Sequence, residues 1–76
     1  MTRHFQVLVE WDPEDEVWVT HVPSLNALST FGDTREEALA NTREAIEGYF
    51  EAAAKERMVI PSDRQVELLD LEVALA

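Results

Sequence analysis

A threonine three residues ahead of a glutamate, at the head of a long apolar stripe, fixes most of what this chain can fold into. Thr34 and Glu37 stand in the capping-box arrangement. The hydroxyl oxygen accepts an unsatisfied backbone N–H, and the carboxylate reaches back to another. Glu36 and Glu37 also sit where the helix dipole favours negative charge. Behind them Ala38, Leu39, Thr42, Ala45, Ile46, Tyr49, Phe50 and Ala53 recur at steps of three and four, which makes one broad stripe suited to a sheet. The pattern predicts a helix from Arg35 to about Arg57, roughly 34 Å long at 1.5 Å per residue. A chain of 76 residues then has material for one helix on one sheet and little else. The helix is long for a four-strand domain, so its end is expected to overhang or to pack on another copy.

The remaining segments read as strands. Phe5, Val7, Val9 and Trp11 alternate with His4, Gln6, Leu8 and Glu10, a period of two with one apolar face. Asp12-Pro13-Glu14-Asp15-Glu16 follows as a hairpin loop of four or five residues. Its acids lack the glycine and the ligand spacing of a calcium loop, so it reads as a solvated turn. Val17 to Val22 is β-branched and aromatic and makes a second strand. Pro23-Ser24-Leu25-Asn26-Ala27 interrupts, and Leu28 to Phe31 forms a third strand ended by Gly32. After the helix, Pro61 blocks continuation. Val66 to Val73 returns as a last strand, with Glu67, Leu69, Leu71 and Val73 on one face and Val66, Leu68, Asp70 and Glu72 on the other. The expected architecture is a single α+β domain over residues 1–76, a two-layer β-β-β-α-β fold with an antiparallel sheet packed on one long helix.

Alternation divides the second strand into Val17, Val19 and His21 on one face and Trp18, Thr20 and Val22 on the other. Trp18, Val22 and Leu8 are assigned to the side away from the helix, where they would form an apolar contact patch. The final strand is a candidate edge for pairing with another subunit, although Asp70 and Glu72 could discourage that pairing.

Charge narrows the function. Six Lys and Arg oppose sixteen Asp and Glu, a net charge of −10. That field repels phosphate backbones, which are bound by Lys and Arg neutralising their charge, so direct nucleic-acid binding is not expected. The same field speeds association with a basic protein. There is no cysteine, hence no disulfide, thiolate metal site or cysteine nucleophile. No signal-peptide core or membrane span is evident, which makes the cytoplasm the default location.

Reactive constellations are scarce. His4, His21 and Glu10 are the one set that could hold a metal for a small hydrolase, and two histidines alone make a weak site. Thr20, Ser24, Ser29, Thr30, Thr34 and Ser62 lie outside any nucleophile-elbow sequence, and Thr34 has its capping task. Gly32 and Gly48 are the only glycines, too few for a phosphate loop. No cofactor, metal or catalytic residue is assigned.

One longer arrangement is more specific. Phe5 to Glu10, an acidic turn, Val17-Trp18-Val19, Pro23-Ser24-Leu25, and Gly32-Asp33-Thr34-x-Glu36-Glu37-Ala38-Leu39-x-Asn41-x-x-Glu44-Ala45 together resemble the HicB-like antitoxin domain over about residues 5 to 61. The resemblance implies a partial RNase H-like β-β-β-α-β fold and a non-enzymatic role. It implies a module that binds and blocks a small basic toxin, HicA, an mRNA-cleaving ribonuclease, and that assembles as a dimer or larger homo-oligomer. Two departures stand out. Asn26-Ala27-Leu28 replaces the family's Pro-Gly-Cys, and Val17 replaces a glycine. Many family members carry a C-terminal DNA-binding segment, and no such segment is expected after Ala76. The expected partner contacts are Trp18, Glu36, Glu44, Glu47 and Glu51. A structural or regulatory homo-oligomer without a toxin is the alternative, with the metal-dependent hydrolase behind it.

Overall fold

The computed structural model describes residues 3–58 and 66–76. Strands β1 (Leu8–Asp12), β2 (Val17–Val22) and β3 (Leu28–Gly32) form an antiparallel sheet in the order β1-β2-β3, and helix α1 (Arg35–Glu56) follows. Register is set by Val9 opposite Thr20 and by Thr20 opposite Thr30. A short 3₁₀ turn, Pro23–Leu25, joins β2 to β3. The expected α+β arrangement of one long helix on an antiparallel sheet is therefore present.

The tight connections follow from local chemistry. In the β1–β2 loop the Asp12 carboxylate accepts the backbone N–H groups of Glu14 (3.0 Å) and Asp15 (3.3 Å), the self-bonding that suits Asp to turns. At the helix start Thr34 Oγ1 accepts the Glu37 N–H at 3.0 Å, and Glu37 Oε1 reaches back to the Asp33 N–H at 3.4 Å. At the other end Arg57 turns left-handed (φ 55°), and Met58 N–H bonds to the Ala53 carbonyl at 2.9 Å. That is the Schellman closure, so Arg57 is the helix stop and not its last turn.

Asn26 and Ala27 both take positive φ, 56° and 57°. The resemblance places a glycine where Ala27 stands, and this conformation is the physical reason. An L-residue with a Cβ pays roughly 1–2 kcal/mol there, which glycine does not. Ala27→Gly is expected to stabilise the domain by up to about 1 kcal/mol, because glycine's greater unfolded-state entropy returns part of that gain. Thermal or urea unfolding reads it directly.

Two expectations are corrected. Residues 66–73 form no ladder with the sheet; the described tail lies in neither strand nor helix and is exposed throughout. Among the described residues that segment pairs with no strand, so its alternation goes unused. Trp18 and Val22 also lie on the helix side of the sheet. Cα partners across an antiparallel pair share a face, so Trp18 and Val22 go with Thr20, which bonds to Thr42 of the helix. Val22 is completely buried, beside Leu25, Ala38 and Ala53 in the core.

Candidate functional site

Helix α1 packs chiefly on β3. Gly32 permits this: a Cβ on it would lie 2.5 Å from the Ala38 backbone nitrogen. One turn further along, Asn41 donates to the Phe31 carbonyl at 2.8 Å. Beneath the helix, Thr20, Thr30 and Thr42 bring three hydroxyls together, with Oγ1–Oγ1 distances of 2.6 Å (Thr20–Thr42) and 2.8 Å (Thr20–Thr30 and Thr30–Thr42). Thr42 donates to the Ala38 carbonyl at 2.7 Å, and Thr20 Oγ1 accepts the Thr30 N–H at 3.3 Å. Every buried polar atom in this cluster has a partner, which is the condition for burying such groups at little cost. Thr20 and Thr30 thus lock helix to sheet. They are packing hydroxyls and face no base.

This geometry sorts the expected contact residues. With 3.6 residues per turn, Glu36, Glu44, Glu47 and Glu51 fall within an arc of about 80° on the helix side opposite the buried stripe, spread over roughly 22 Å. All four are exposed. Trp18 does not join them. It is half-buried on the helix-facing side of the sheet, edge-on to Trp11 at a centroid distance of 5.4 Å.

The other sheet face, away from the helix, carries Leu8, Glu10, Val17, Val19, His21, Ser29 and Phe31, as the register requires. Phe31 is 66% exposed and Leu8 42%. Of this apolar group the sequence pattern assigns only Leu8 to that face. Both faces of β2 are apolar, and Thr20, which the alternation places with Trp18 and Val22, is in the core. At the centre His21 Nε2 meets Glu10 Oε1 at 2.9 Å. His4 is elsewhere, in a groove beside Leu39, Arg43 and Glu47 of the helix. Among the described residues no three His, Cys, Asp or Glu are placed to share an ion. The metal-hydrolase alternative loses its geometric basis.

At the N-terminus, Phe5 lies edge-on to Phe50 (5.6 Å between centroids), with the Arg3 guanidinium over both rings. Residues 3–7 therefore run beside the helix before pairing begins at Leu8. Among the described residues no helix is long and apolar enough to cross a membrane.

These features define two exposed surfaces on a two-layer α+β scaffold: one acidic helix face and one partly apolar sheet face. Residues 5–74 match the family model described as the HicB-like antitoxin of bacterial toxin–antitoxin systems. The chain is also similar to the UPF0150 protein Ta0767 of Thermoplasma acidophilum, 39% identical over 64 residues that span 84% of this chain and 91% of the relative. No solved structure gives a significant match. The chain belongs to the HicB-like antitoxin family, and it is a protein-binding, antitoxin-like module in a non-catalytic family.

Proposed function

We propose that this domain neutralises a small, basic, mRNA-cleaving toxin by laying the glutamate face of α1 over the toxin's RNA-binding surface. The observation that carries the reading is the clustering of Glu36, Glu44, Glu47 and Glu51 on the outward side of the helix, in a chain of net charge −10. A nuclease that grips RNA needs Lys and Arg aimed at phosphates. A row of carboxylates on a rigid helix offers those groups the same sign of charge without a scissile bond. In this reading the sheet and helix form the partial RNase H-like unit of the family, residues 1–76 act as one domain, and the site of action is the cytoplasm. Trp18 contributes by holding Trp11 and the β1–β2 end in place.

The test is capture of a partner by the full tagged chain, expressed in its own host at low ionic strength. The expected result is a small basic protein that co-purifies, elutes as salt is raised, and cleaves RNA only after the antitoxin is removed. Recovery of the chain with no basic partner, or of a complex whose ribonuclease activity persists, would overturn the reading.

A further inference from the structure

We propose that the groove between the N-terminal stretch and α1 binds a free medium-chain acyl carboxylate, with the Arg43 guanidinium as the anchor of its charged end. The site is independent of any toxin.

The groove combines an apolar lining with charges of the rarer sign. Its volume is about 370 Å³, within the range of clefts that take small molecules, about 300–1,000 Å³. Phe5 and Val7 line it from the N-terminal stretch, and Leu39 and Ile46 from the helix. All four are half-buried, whereas Arg3, His4 and Arg43, which also border it, are exposed. A smaller hollow of about 240 Å³ shares Phe5 and Ile46 and adds Phe50, so the apolar lining continues along the helix.

Local sequence builds both sides. Leu39, Arg43 and Ile46 stand at steps of four and three, which puts them on one edge of α1. Phe5 lies against Phe50, and the Arg3 guanidinium is 5.3 and 5.1 Å from the two ring centroids. These contacts hold the N-terminal stretch in place beside the helix.

Charge selects the ligand. The chain has six Lys and Arg against sixteen Asp and Glu, yet at this groove two arginines and a histidine meet one carboxylate, that of Glu47. Among the described residues no side chain pairs with the Arg43 guanidinium. Glu47 stands one turn on, in the weaker order of Arg before Glu. A guanidinium fork fits a carboxylate through two parallel hydrogen bonds. A polyanion is disfavoured, because the field of a chain at −10 acts on every charge it carries. A single carboxylate meets least of that field and draws its remaining affinity from buried apolar area. Phe5 and Phe50 already engage each other and Arg3. The remaining apolar lining, Val7, Leu39 and Ile46, is aliphatic, which suits an acyl chain better than a flat ring.

The experiment is a titration of the full chain with octanoate, read by calorimetry and by amide NMR shifts, with hexanoate, decanoate and 1-octanol for comparison. The expected result is saturable one-to-one binding below the micelle concentration, with shift changes at residues 3–7 and 39–47. Each two-carbon extension from hexanoate to decanoate should tighten binding about 10-fold. Arg43→Gln should weaken octanoate about 10-fold and leave 1-octanol unchanged. Val7→Asp, which puts a carboxylate into the groove, should abolish octanoate binding while the folded-state circular dichroism spectrum is retained. Binding that fails to saturate marks an adventitious amphiphile only and overturns the proposal. So do equal octanoate affinities for Arg43→Gln and the unaltered chain, or shift changes centred on Val19 and Phe31. A ligand-free groove already filled by residues 69–75, seen as nuclear Overhauser contacts to Leu39 and Ile46, overturns it as well.

Discussion

Gly32→Ala is expected to cost the domain about 2–3 kcal/mol, although it adds a single methyl group. The new Cβ would sit 2.5 Å from the Ala38 nitrogen, 2.9 Å from the Glu37 carbonyl carbon and 3.0 Å from the Ala38 Cα. All three neighbours are backbone, so no rotamer change relieves the contact. The first turn of α1 must move away from β3, and overpacking of that kind costs typically about 1–3 kcal/mol. The Ala38 carbonyl receives the Thr42 and Thr30 hydroxyls, so the shift also strains the buried cluster. For a domain of this size the loss corresponds to a melting point lower by roughly 10–15 °C. Gly48 supplies the control. A Cβ there meets nothing within 4 Å and the residue is exposed on the same helix, so Gly48→Ala is expected to gain up to about 1 kcal/mol from helix propensity. Opposite signs for one chemical change at the chain's two glycines would show that the helix–strand approach, not glycine content, governs stability. Equal small effects would sink the argument.

The contrast between those glycines also explains which parts of the fold were readable in advance. Signals confined to a few consecutive residues were legible. Thr34 and Glu37 marked the helix start, the Asp12–Glu16 run marked the hairpin loop, and Pro23 marked the end of β2. The outward position of Glu44, Glu47 and Glu51 follows from helical period alone. The orientation of β2 was not legible, because its two faces differ little in hydrophobicity. What decides between them is the meeting of Thr20, Thr30 and Thr42, residues far apart in sequence whose hydroxyls satisfy one another only after the sheet and helix are assembled. A polar side chain reads as an outside residue until its partners are known. The final segment failed for a related reason. Its alternation from Val66 onward is a true strand pattern, yet a strand exists only where an edge receives it, and the pattern does not name that edge.

Replacing Glu36, Glu44, Glu47 and Glu51 together by glutamine is expected to slow association with the basic toxin by about 10- to 100-fold at low salt, within the range over which charge steering changes on-rates. The four carboxylates are exposed on one helix face, so the isosteric change removes charge from that face while disturbing no buried contact. The helix itself should stay intact: its cap is the Thr34–Glu37 pair, which the variant keeps. The effect belongs mainly to the on-rate, because long-range attraction guides encounter before any side chain is desolvated. Raising ionic strength should therefore slow the unaltered chain toward the variant, as the Debye length shrinks to about 8 Å at 0.15 M salt. Stopped-flow or surface-based kinetics across a salt series measures both quantities. Placing the same four-charge change at Asp12, Glu14, Asp15 and Glu16 tests position against bulk charge, since Asp12 also holds the hairpin loop and folding must be checked in parallel. If the loop variant slows association as much as the helix variant while remaining folded, total charge is what draws the partner, and the helix face has no special standing. If the helix variant binds as fast as the unaltered chain at every salt concentration, the docking face lies elsewhere, and the uncovered sheet face around Val19 and Phe31 becomes the surface to substitute next.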